Sequence, residues 1–227
     1  MTVSPRASDA WLVIPLFNEA QVIGEVITAA LTTFPNIVCV DDASTDDSAQ
    51  IASNAGAAIV QHPFNLGQGA ALQTGMRYVA EATDARFIVT FDADGQHRVE
   101  DAAAMVERAI DEDVAIVFGS RFLDQRTKPG WLKKRVLKTA VWITNQQTGL
   151  RLSDAHNGLR VIRRDAFERL DLKQNRMAHA TEIVLQLSRT KLPWVEHPVH
   201  VLYTDYSRAK GQSMINAVNI LMDSILK

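Results

Sequence analysis

From residue 11 to residue 119, the sequence alternates between short apolar, β-branched runs and segments with helical periodicity. The short runs are typical of buried parallel strands, and the segments between them place apolar residues on one face of a helix. The predicted strands span residues 11–15, 37–40, 57–61, 87–91 and 114–119. A regular β-α-β alternation predicts a mostly parallel sheet with helices on both faces, so the fold class is α/β.

The predicted helices begin and end at recognisable signals. The first covers about residues 20–33, and the second runs from a capping box at Ser44-Thr45-Asp46-Asp47 to Gly56. Further helices follow the loop 65–69 and residue 98. After Ser120 the regular alternation ends. The elements predicted there are helices over 131–148, 165–170, 180–189 and 213–227, a strand within 154–163, and one or two strands within 195–203.

Acidic and polar side chains follow three of the predicted strands. These are Asn18 and Glu19 after the first strand, Asp41 and Asp42 after the second, and Asp92 and Asp94 after the fourth. Because the carboxyl ends of parallel strands meet at one edge of the sheet, we expect the three groups to converge. Buried carboxylates are costly unless a cation or ligand is shared, and oxygen ligands suit Mg²⁺ or Mn²⁺.

Each acidic group also has a purely structural interpretation. Taken alone, Asp92 to Gly95 is compatible with a turn that Asx hydrogen bonds stabilise. Asp46 and Asp47 are predicted in the first turn of a helix, where the helix dipole favours negative charge. His97 is predicted as an ordinary polar residue in a helix's first turn. The convergence of several groups, rather than any single group, therefore carries the prediction of a site.

The loop 65–69, with the sequence NLGQG, is a small-residue turn before a predicted helix. Such a turn lets backbone N–H groups approach a ligand, although a tight turn with close helix packing explains it equally well. The sequence contains no G-x-x-x-x-G-K-[ST] motif, and no G-x-G-x-x-G follows the first strand. These absences argue against a P-loop ATPase and against a dinucleotide-binding fold.

Composition excludes several other classes of protein. The net charge of −2 gives no basis for nucleic-acid binding. The single cysteine, Cys39, lies in an apolar run and is predicted to be a small buried hydrophobe. The N-terminal residues are polar and do not resemble a secretory signal, and no run of about 18 apolar residues occurs. We therefore expect a cytoplasmic protein without a transmembrane helix.

Several segments, in this order, resemble the family-2 glycosyltransferases of the GT-A fold. The segments are IPLFNE at 14–19, VDDASTD at 40–46, NLGQG at 65–69 and FDADGQH at 91–97. GSRF at 119–122 and DAHNGLR at 154–160 extend the resemblance and are most similar to the dolichyl- and polyprenyl-phosphate sugar transferase branch. The resemblance covers about residues 11 to 212 and implies one domain over 11–227 after a flexible tail at 1–10.

The resemblance implies inverting transfer of a sugar, of the hexosyltransferase type, from a nucleotide-sugar whose diphosphate binds Mg²⁺ or Mn²⁺. It assigns residues 11–120 to a nucleotide-sugar half and residues 121–227 to an acceptor half. The expected nucleotide-sugar contacts are Pro15, Phe17, Asn18, Glu19, Asp41, Asp42, Gly67 and Asp92. The expected metal site consists of Asp92, Asp94 and Gln96.

The implied acceptor chemistry has two forms. A lipid phosphate is already anionic and needs cations to position it, for which Arg121, Arg208 and Lys210 match the family's basic positions. A hydroxyl acceptor instead requires a carboxylate base. Asp154 matches the acceptor-site aspartate of the lipid-phosphate branch, and Glu182 lies near the family's usual catalytic acid residue. The alternative for Glu182 is an exposed residue in a helix's first turn.

The predicted helix 131–148 carries tryptophan interleaved with basic residues on one face. That face comprises Trp131, Lys134, Arg135, Lys138 and Trp142. Such a composition suits an anionic membrane surface, and the alternative is a packed helix with a solvated basic rim. The same two interpretations apply to the amphipathic segment 213–227. We therefore expect a cytoplasmic protein that binds peripherally to the inner face of the membrane.

Four functions are compatible with these features. The first is transfer to a polyprenyl phosphate at the membrane surface, and the second is transfer to a glycan hydroxyl in cell-envelope polysaccharide synthesis. The third is a non-catalytic nucleotide-sugar-binding module. The fourth is a phosphohydrolase of the haloacid dehalogenase type, which also uses a D-x-D-G loop. That family places its loop after its first strand, whereas three β-α units precede Asp92 here.

Overall fold

The computed structural model describes residues 7–124, 131–175 and 178–202, with residues 131–137 described as backbone only. Within these residues the strands are β1 Ala10–Leu16, β2 Ile37–Asp41, β3 Ala58–Gln61, β4 Phe87–Thr90, β5 Ile116–Ser120, β6 Arg160–Arg163 and β7 Trp194–Pro198. The helices are α1 Ile23–Leu31, α2 Ser48–Asn54, α3 Gln68–Ala82, α4 Val99–Asp111, α5 Trp131–Thr148, α6 Arg164–Phe167 and α7 His179–Arg189, after a short 3₁₀ turn at Ala7–Asp9.

The strands form one seven-stranded sheet in the order β3-β2-β1-β4-β6-β5-β7. All neighbouring pairs are parallel except those of β6, which is antiparallel to both β4 and β5. The predicted mostly parallel α/β architecture is confirmed. The central strands are buried on both faces, which explains why their sequences are continuous apolar runs rather than alternating ones.

Two apolar layers cover the two faces of the sheet. One layer contains residues of α1, α2 and α4, represented by Ile27, Ala52 and Met105. The other contains residues of α3, α5, α6 and α7, represented by Met76, Val141, Phe167 and Ile183. Cys39 is fully buried in the first layer, as predicted. Burial and the neighbouring charge of Asp41 raise the pKa of its thiol to about 12, so the thiol is unreactive at neutral pH.

The position of β6 determines which loops lie at the edge of the sheet where the parallel strands end. Since β6 is antiparallel to β4, its first residue, Arg160, lies opposite Thr90 at the carboxyl end of β4. The loop that enters β6 therefore lies at the same edge as the carboxyl ends of the parallel strands. This reversal brings residues 154–159 beside the turn that follows β4.

The predicted capping box before α2 is wrong. The helix begins at Ser48, its N-cap Asp47 makes no side-chain capping bond, and the first turn contains no acidic residue. Asp46 instead accepts hydrogen bonds from the backbone N–H of Ser48 and, at 3.2 Å, from that of Ala20. The contact with Ala20 spans 26 residues of sequence, so a local sequence pattern does not reveal it.

Some predicted elements lie outside the described residues. They are the loop 125–130 and everything from residue 203, which includes the predicted helix 213–227. The division into a nucleotide-sugar half and an acceptor half stays a prediction. In the part of the chain that the structure describes, no helix is long and apolar enough to cross a bilayer.

Candidate active site

Asp92 and Asp94 occupy the turn that follows β4, where the sequence predicted a metal site. Asp92 Oδ1 accepts a hydrogen bond of 3.2 Å from Gln68 Nε2, and its Oδ2 lies 2.9 Å from His97 Nε2. Asp94 is 8% exposed and accepts bonds from the backbone N–H and the side-chain amide of Gln96, at 3.0 and 2.7 Å. The three predicted metal-site residues therefore lie in one compact turn.

The two carboxylates differ in charge balance. Partial burial alone would raise the pKa of Asp92, but the hydrogen bond and charge of His97, with the charges of Arg160 and His179, lower it. Burial and the charge of Asp92 raise the pKa of Asp94 to about 6, and the charge of Glu19 adds to this effect. A cation at this turn would relieve the repulsion between the carboxylates.

His97 differs from its prediction. It precedes α4, which begins at Val99, and it is bonded to Asp92 rather than placed in a helix's first turn. Since an ionised carboxylate only accepts hydrogen bonds, Nε2 is the donor. The ring is nearly buried and packs edge-on against Phe91 at a centroid distance of 5.5 Å. His97 thus holds one oxygen of Asp92 in place, while Gln68 holds the other.

The carboxylate oxygens of Asp92 and Asp94 fit a divalent cation that is shared with a bound ligand. Among residues 7–124, 131–175 and 178–202, no three His, Cys, Asp or Glu side chains are grouped as a ready-made metal cage. Hard ions such as Mg²⁺ are usually held by one or two carboxylates together with substrate phosphates and water. Two adjacent carboxylates, one with a raised pKa, match that pattern better than a closed structural metal site.

The predicted nucleotide-binding turn 65–69 is fixed by Asp42. The two oxygens of Asp42 accept the backbone N–H groups of Leu66 and Gly67 at 2.8 and 2.7 Å, and His62 Nδ1 lies 2.8 Å from Oδ1. Gly67 has φ 99°, a left-handed conformation that glycine adopts without strain. Asp42 therefore shapes the turn, a contact that sequence reasoning missed because it joins the ends of different strands.

The segment after β1 is tied to the segment after β2. Asn18, with φ 53°, donates its backbone N–H to Ser44 Oγ at 3.0 Å, and its side-chain oxygen accepts the Thr45 N–H at 2.8 Å. The backbone N–H of Glu19 donates to Ser48 Oγ at 2.7 Å. Of the remaining predicted contacts, Pro15 lies within β1, Phe17 is 42% exposed, and Asp41 is buried and accepts the Ser44 N–H at 3.2 Å.

The predicted acceptor residues Arg121 and Asp154 form a buried ion pair. Arg121 Nε and Nη2 donate to the two oxygens of Asp154 at 2.6 and 2.8 Å, and the Arg121 backbone N–H donates at 3.1 Å. The Asp154 side chain is fully buried, and that of Arg121 is 12% exposed. Although burial raises it, the charge and hydrogen bonds of Arg121 hold the pKa of Asp154 below its usual range.

Glu196, which the sequence did not single out, supports this ion pair from β7. One of its oxygens accepts the backbone N–H groups of Ser153 and Asp154, at 2.8 and 3.2 Å, and the Ser153 hydroxyl at 2.9 Å. Ser153 Oγ in turn lies 2.6 Å from Ser120 Oγ at the end of β5. The Asp154 loop is therefore held by two strands that are distant from it in sequence.

Gly158 and Arg160 connect the loop that contains Asp154 to the Asp92 turn. A Cβ atom at position 158 would lie 2.5 Å from Asp92 Oδ2, so a larger residue there would displace the Asp92 carboxylate. Arg160 is 2% exposed, and burial lowers the pKa of its guanidinium to about 10, although the charges of Asp92 and Asp154 oppose that shift. One buried cation thus acts on both acidic sites.

The other predicted site residues lie apart from these contacts. The carboxylate of Glu182 accepts the backbone N–H groups of Lys173, at 3.0 Å, and of Gln174, at 2.8 Å. It is half-buried rather than exposed, and its catalytic role stays a prediction. Arg208 and Lys210 lie outside the described residues. Within the described residues, the Leu202 N–H donates to the Gln96 carbonyl at 2.9 Å.

The described part of the predicted basic face of α5 is exposed to solvent. Trp142 is 63% exposed and Lys138 is also exposed, whereas Ala140, Val141 and Thr144 are buried against the fold. The side chains of Trp131, Lys134 and Arg135 lie outside the described residues.

The family model for Glycosyl transferase family 2 matches residues 11–171. An uncharacterised protein of Methanocaldococcus jannaschii is 32% identical over 224 residues, which cover 96% of this chain and 92% of that protein. A UDP-N-acetylglucosamine–dolichyl-phosphate N-acetylglucosaminyltransferase of Methanococcus voltae is 30% identical over 227 residues, with 90% of each chain covered. Dolichyl- and undecaprenyl-phosphate sugar transferases are among the relatives at about 26–30% identity.

The fold also matches a solved enzyme of known architecture. Glucosyl-3-phosphoglycerate synthase of Mycobacterium tuberculosis, solved with Mg²⁺ and UDP, superposes with a TM-score of 0.68 at 17% identity. The match covers 95% of this chain and 78% of that chain, and it confirms the predicted GT-A architecture. With the family model spanning most of the sheet and its acidic edge, the chain belongs to glycosyl transferase family 2, whose members transfer sugars from nucleotide-sugar donors.

Proposed function

We propose that this protein is an inverting, metal-dependent hexosyltransferase that moves a sugar from a nucleotide-sugar to a polyprenyl phosphate. The observation that carries the proposal is the pairing of Asp154 with Arg121 at 2.6 and 2.8 Å. This pairing leaves the acceptor edge with a positioned cation and with a carboxylate unsuited to act as a base. An acceptor that is already anionic fits that combination, because it needs charge compensation and no base.

The donor side follows from the residues at the carboxyl ends of β1, β2 and β4. We assign the nucleoside to the surface formed by the segment after β1, with the exposed Phe17 ring and Asn18, and by the turn around Gly67. Asp41 and Glu19 line the same edge and supply acceptors for base N–H and ribose hydroxyl groups. Asp42 contributes indirectly, because both of its oxygens already hold the backbone of the turn.

Asp92 and Asp94 would hold Mg²⁺ or Mn²⁺, with Gln96 beside them. When bound, such an ion neutralises the charge that develops on the leaving nucleoside diphosphate. Gln68 and His97 fix the two oxygens of Asp92 before any ligand arrives. Because the carboxylate of Asp92 is already oriented, it needs little reorganisation when a metal-bound donor binds.

The acceptor side favours a phosphate over a hydroxyl. A hydroxyl must lose its proton to a base as it attacks the anomeric carbon, whereas a phosphate oxygen needs only orientation and charge compensation. The pKa of Asp154 is held low by Arg121, and the oxygens of Glu182 accept backbone N–H groups. Arg121 is thus the residue we assign to the acceptor phosphate, together with Arg208 and Lys210.

A lipid acceptor also implies contact with a membrane surface. The exposed Trp142 and Lys138 of α5 have the chemistry of an interfacial contact with anionic lipid. The dolichyl-phosphate transferase of Methanococcus voltae is consistent with an acceptor of this class. We therefore propose peripheral binding of the protein through the outer face of α5.

The test is a donor screen in which released nucleoside diphosphate is measured with undecaprenyl phosphate or undecaprenol as acceptor. UDP-, GDP- and dTDP-sugars are each supplied with Mn²⁺, and soluble glycans form a third arm. The proposal predicts release with the phosphate and at most background release with the alcohol. Equal turnover with a glycan hydroxyl would contradict the proposed acceptor, and donor binding without any turnover would favour a non-catalytic module.

A further inference from the structure

Residues 171–175, here called the strap, lie between α6 and α7 in the sequence and pack against the start of α3. Side chains, rather than neighbouring strands, satisfy its backbone. The Asp171 N–H donates to Gln186 Oε1 at 2.8 Å, and the Leu172 N–H donates to Gln73 Oε1 at 2.7 Å. Within the strap Leu172 is buried and Gln174 half-buried, and these hydrogen bonds to side chains of α3 and α7 fix where it lies.

Glu182 holds the strap at Lys173 and Gln174. Its two oxygens accept the Lys173 N–H at 3.0 Å each, and one of them accepts the Gln174 N–H at 2.8 Å. Gln186 Nε2 donates to the carboxylate at 3.1 Å and keeps it oriented. Hydrogen bonds to an ionised acceptor are stronger than neutral ones, so this is the firmest attachment of the strap.

The strap meets α3 at Gly69 without spare room. The Gly69 N–H donates to the Asn175 carbonyl at 2.9 Å. A Cβ atom at position 69 would lie 2.1 Å from the Gln174 carbonyl oxygen and 2.7 Å from His179 Cβ. Because the contact is this close, a displacement of the strap must change the hydrogen bonding of Gly69.

Gly69 directly follows Gln68, whose side chain donates to Asp92 Oδ1 at 3.2 Å. A continuous series of contacts therefore runs from the Glu182 carboxylate through the strap and Gly69 to Asp92.

The hydrogen bonds of Glu182 do not suit a catalytic base. Its oxygens already accept backbone N–H groups, which is the arrangement of a structural anchor and not of a group that must take a proton from the sugar acceptor.

We propose that Glu182 is a positioning residue, which acts through the strap and the start of α3 to orient Asp92 for the metal-bound donor. The consequence for donor binding rests on the proposed function, whereas the structural coupling between Glu182 and Gly69 does not. This assignment separates Glu182 from the catalytic role that its position in the sequence suggests.

The first test is amide hydrogen exchange, measured residue by residue by NMR on the ligand-free protein. With Glu182→Gln, exchange at Lys173 and Gln174 should accelerate about tenfold, and exchange at Gly69 should accelerate several-fold, because the strap is less firmly held. Glu107→Gln, on an exposed position of α4, is the matched control and should change none of these rates. Unchanged exchange at Gly69 in Glu182→Gln would overturn the coupling.

The reciprocal variant is Gly69→Ala, which pushes on the strap from α3 and leaves Glu182 intact. It should accelerate exchange at Lys173 and Gln174, the two amides that Glu182 accepts. If those rates stay at the wild-type values while Gly69→Ala remains folded, the strap does not transmit the change and the proposal is wrong.

The second test separates positioning from base catalysis in the transfer reaction. Glu182→Gln should raise the donor KM by about three- to tenfold, with a smaller change in kcat and an unshifted pH profile of kcat. A kcat loss of about 10² to 10⁴ with loss of a limb of the pH profile would identify a base and overturn the proposal. If no sugar transfer is found with any donor, the proposed function fails, while the exchange experiment still decides the coupling.

Discussion

Asp94 and Asp154 lie at the same edge of one sheet, yet their charges are balanced in opposite ways. Burial and the neighbouring Asp92 raise the pKa of Asp94 to about 6. Burial acts in the same direction on Asp154, but the bidentate contact with Arg121 outweighs it and keeps the pKa of that carboxyl low. The carboxylates of Asp92 and Asp94 repel each other, whereas Asp154 is paired with the positive charge of Arg121.

The difference corresponds to the charges of the two ligands that we propose. A nucleotide-sugar diphosphate approaches together with a divalent cation, so the donor site presents carboxylates that the cation can neutralise. A lipid phosphate approaches as an anion, so the acceptor site presents an arginine that its own carboxylate holds in place. Arg160, buried between the two sites, acts electrostatically on both Asp92 and Asp154.

The largest expected effect comes from breaking the self-contained pair. Arg121→Ala leaves Asp154 buried without its cation and should lower the free energy of unfolding by about 3–5 kcal/mol. Denaturant unfolding measures the change, and the double variant Arg121→Ala with Asp154→Ala should recover much of the loss. A single-variant loss below about 1 kcal/mol would show that the pair is not a buried ion pair.

Arg121→Lys keeps the charge and removes the bidentate geometry, so it tests the acceptor role with less structural damage. We expect transfer to undecaprenyl phosphate to fall about tenfold or more, because a positioned phosphate contact is lost. Affinity for the nucleoside diphosphate should remain within about twofold. An unchanged transfer rate would remove Arg121 from the acceptor site.

Substitution of Asp94 is expected to stabilise the protein, whereas substitution of Arg121 by alanine destabilises it. Its folded-state pKa of about 6 lies above the ordinary value of 3.8, so its stabilising contribution is fully present below pH 4 and is lost as pH rises through 6. In the metal-free protein, Asp94→Asn should therefore become the more stable variant above pH 6, by about 1–3 kcal/mol. Thermal unfolding of both proteins between pH 4 and 8, with a chelator present, measures the difference.

A difference that is constant across this pH range, or a destabilised Asp94→Asn at pH 7, would contradict the repulsion between Asp92 and Asp94. Asp46→Asn is a useful comparison, because the pKa of Asp46 is lowered. Burial alone would raise that pKa, but hydrogen bonds from Ser48 and Ala20 outweigh it. Its substitution should therefore destabilise the protein at pH 7, by at most about 0.5 kcal/mol, because the side chain is exposed and solvent screens its interactions.

The smallest expected effect concerns the membrane. Lys138→Gln should weaken co-sedimentation with vesicles containing anionic phospholipid by about fivefold, since one lysine near such a surface contributes about 1 kcal/mol. Arg77→Gln, an exposed position on α3, serves as the charge-matched control. If both variants sediment equally well, the outer face of α5 does not contact the membrane.

The proposed donor site was the more predictable of the two from sequence. The first five strands lie within a few residues of their predicted bounds because each is a continuous apolar run, and the Asp92–Asp94 turn follows the fourth. Parallel topology then places the strand ends together without further information. The hydrogen bonds of Asp92 with Gln68 and His97 depend on side-chain packing, which the sequence pattern does not specify.

The proposed acceptor site was less predictable because it depends on where β6 inserts. Four residues, RVIR, pair antiparallel between β4 and β5, and no local pattern encodes those partners. That insertion brings Asp154 to Arg121, and Gly158 to Asp92. Glu196 and Arg160 were missed for the same reason, since their partners are remote in sequence or belong to other strands.

Calorimetric titration with UDP, GDP and dTDP, with and without Mn²⁺, tests the contrast between the two sites most directly. We predict that Mn²⁺ tightens binding of at least one nucleotide about tenfold or more in the wild type and in Arg121→Lys. Asp94→Asn should lose that enhancement. Equal affinity with and without Mn²⁺ in the wild type, or retained enhancement in Asp94→Asn, would contradict a donor site built to receive an external cation.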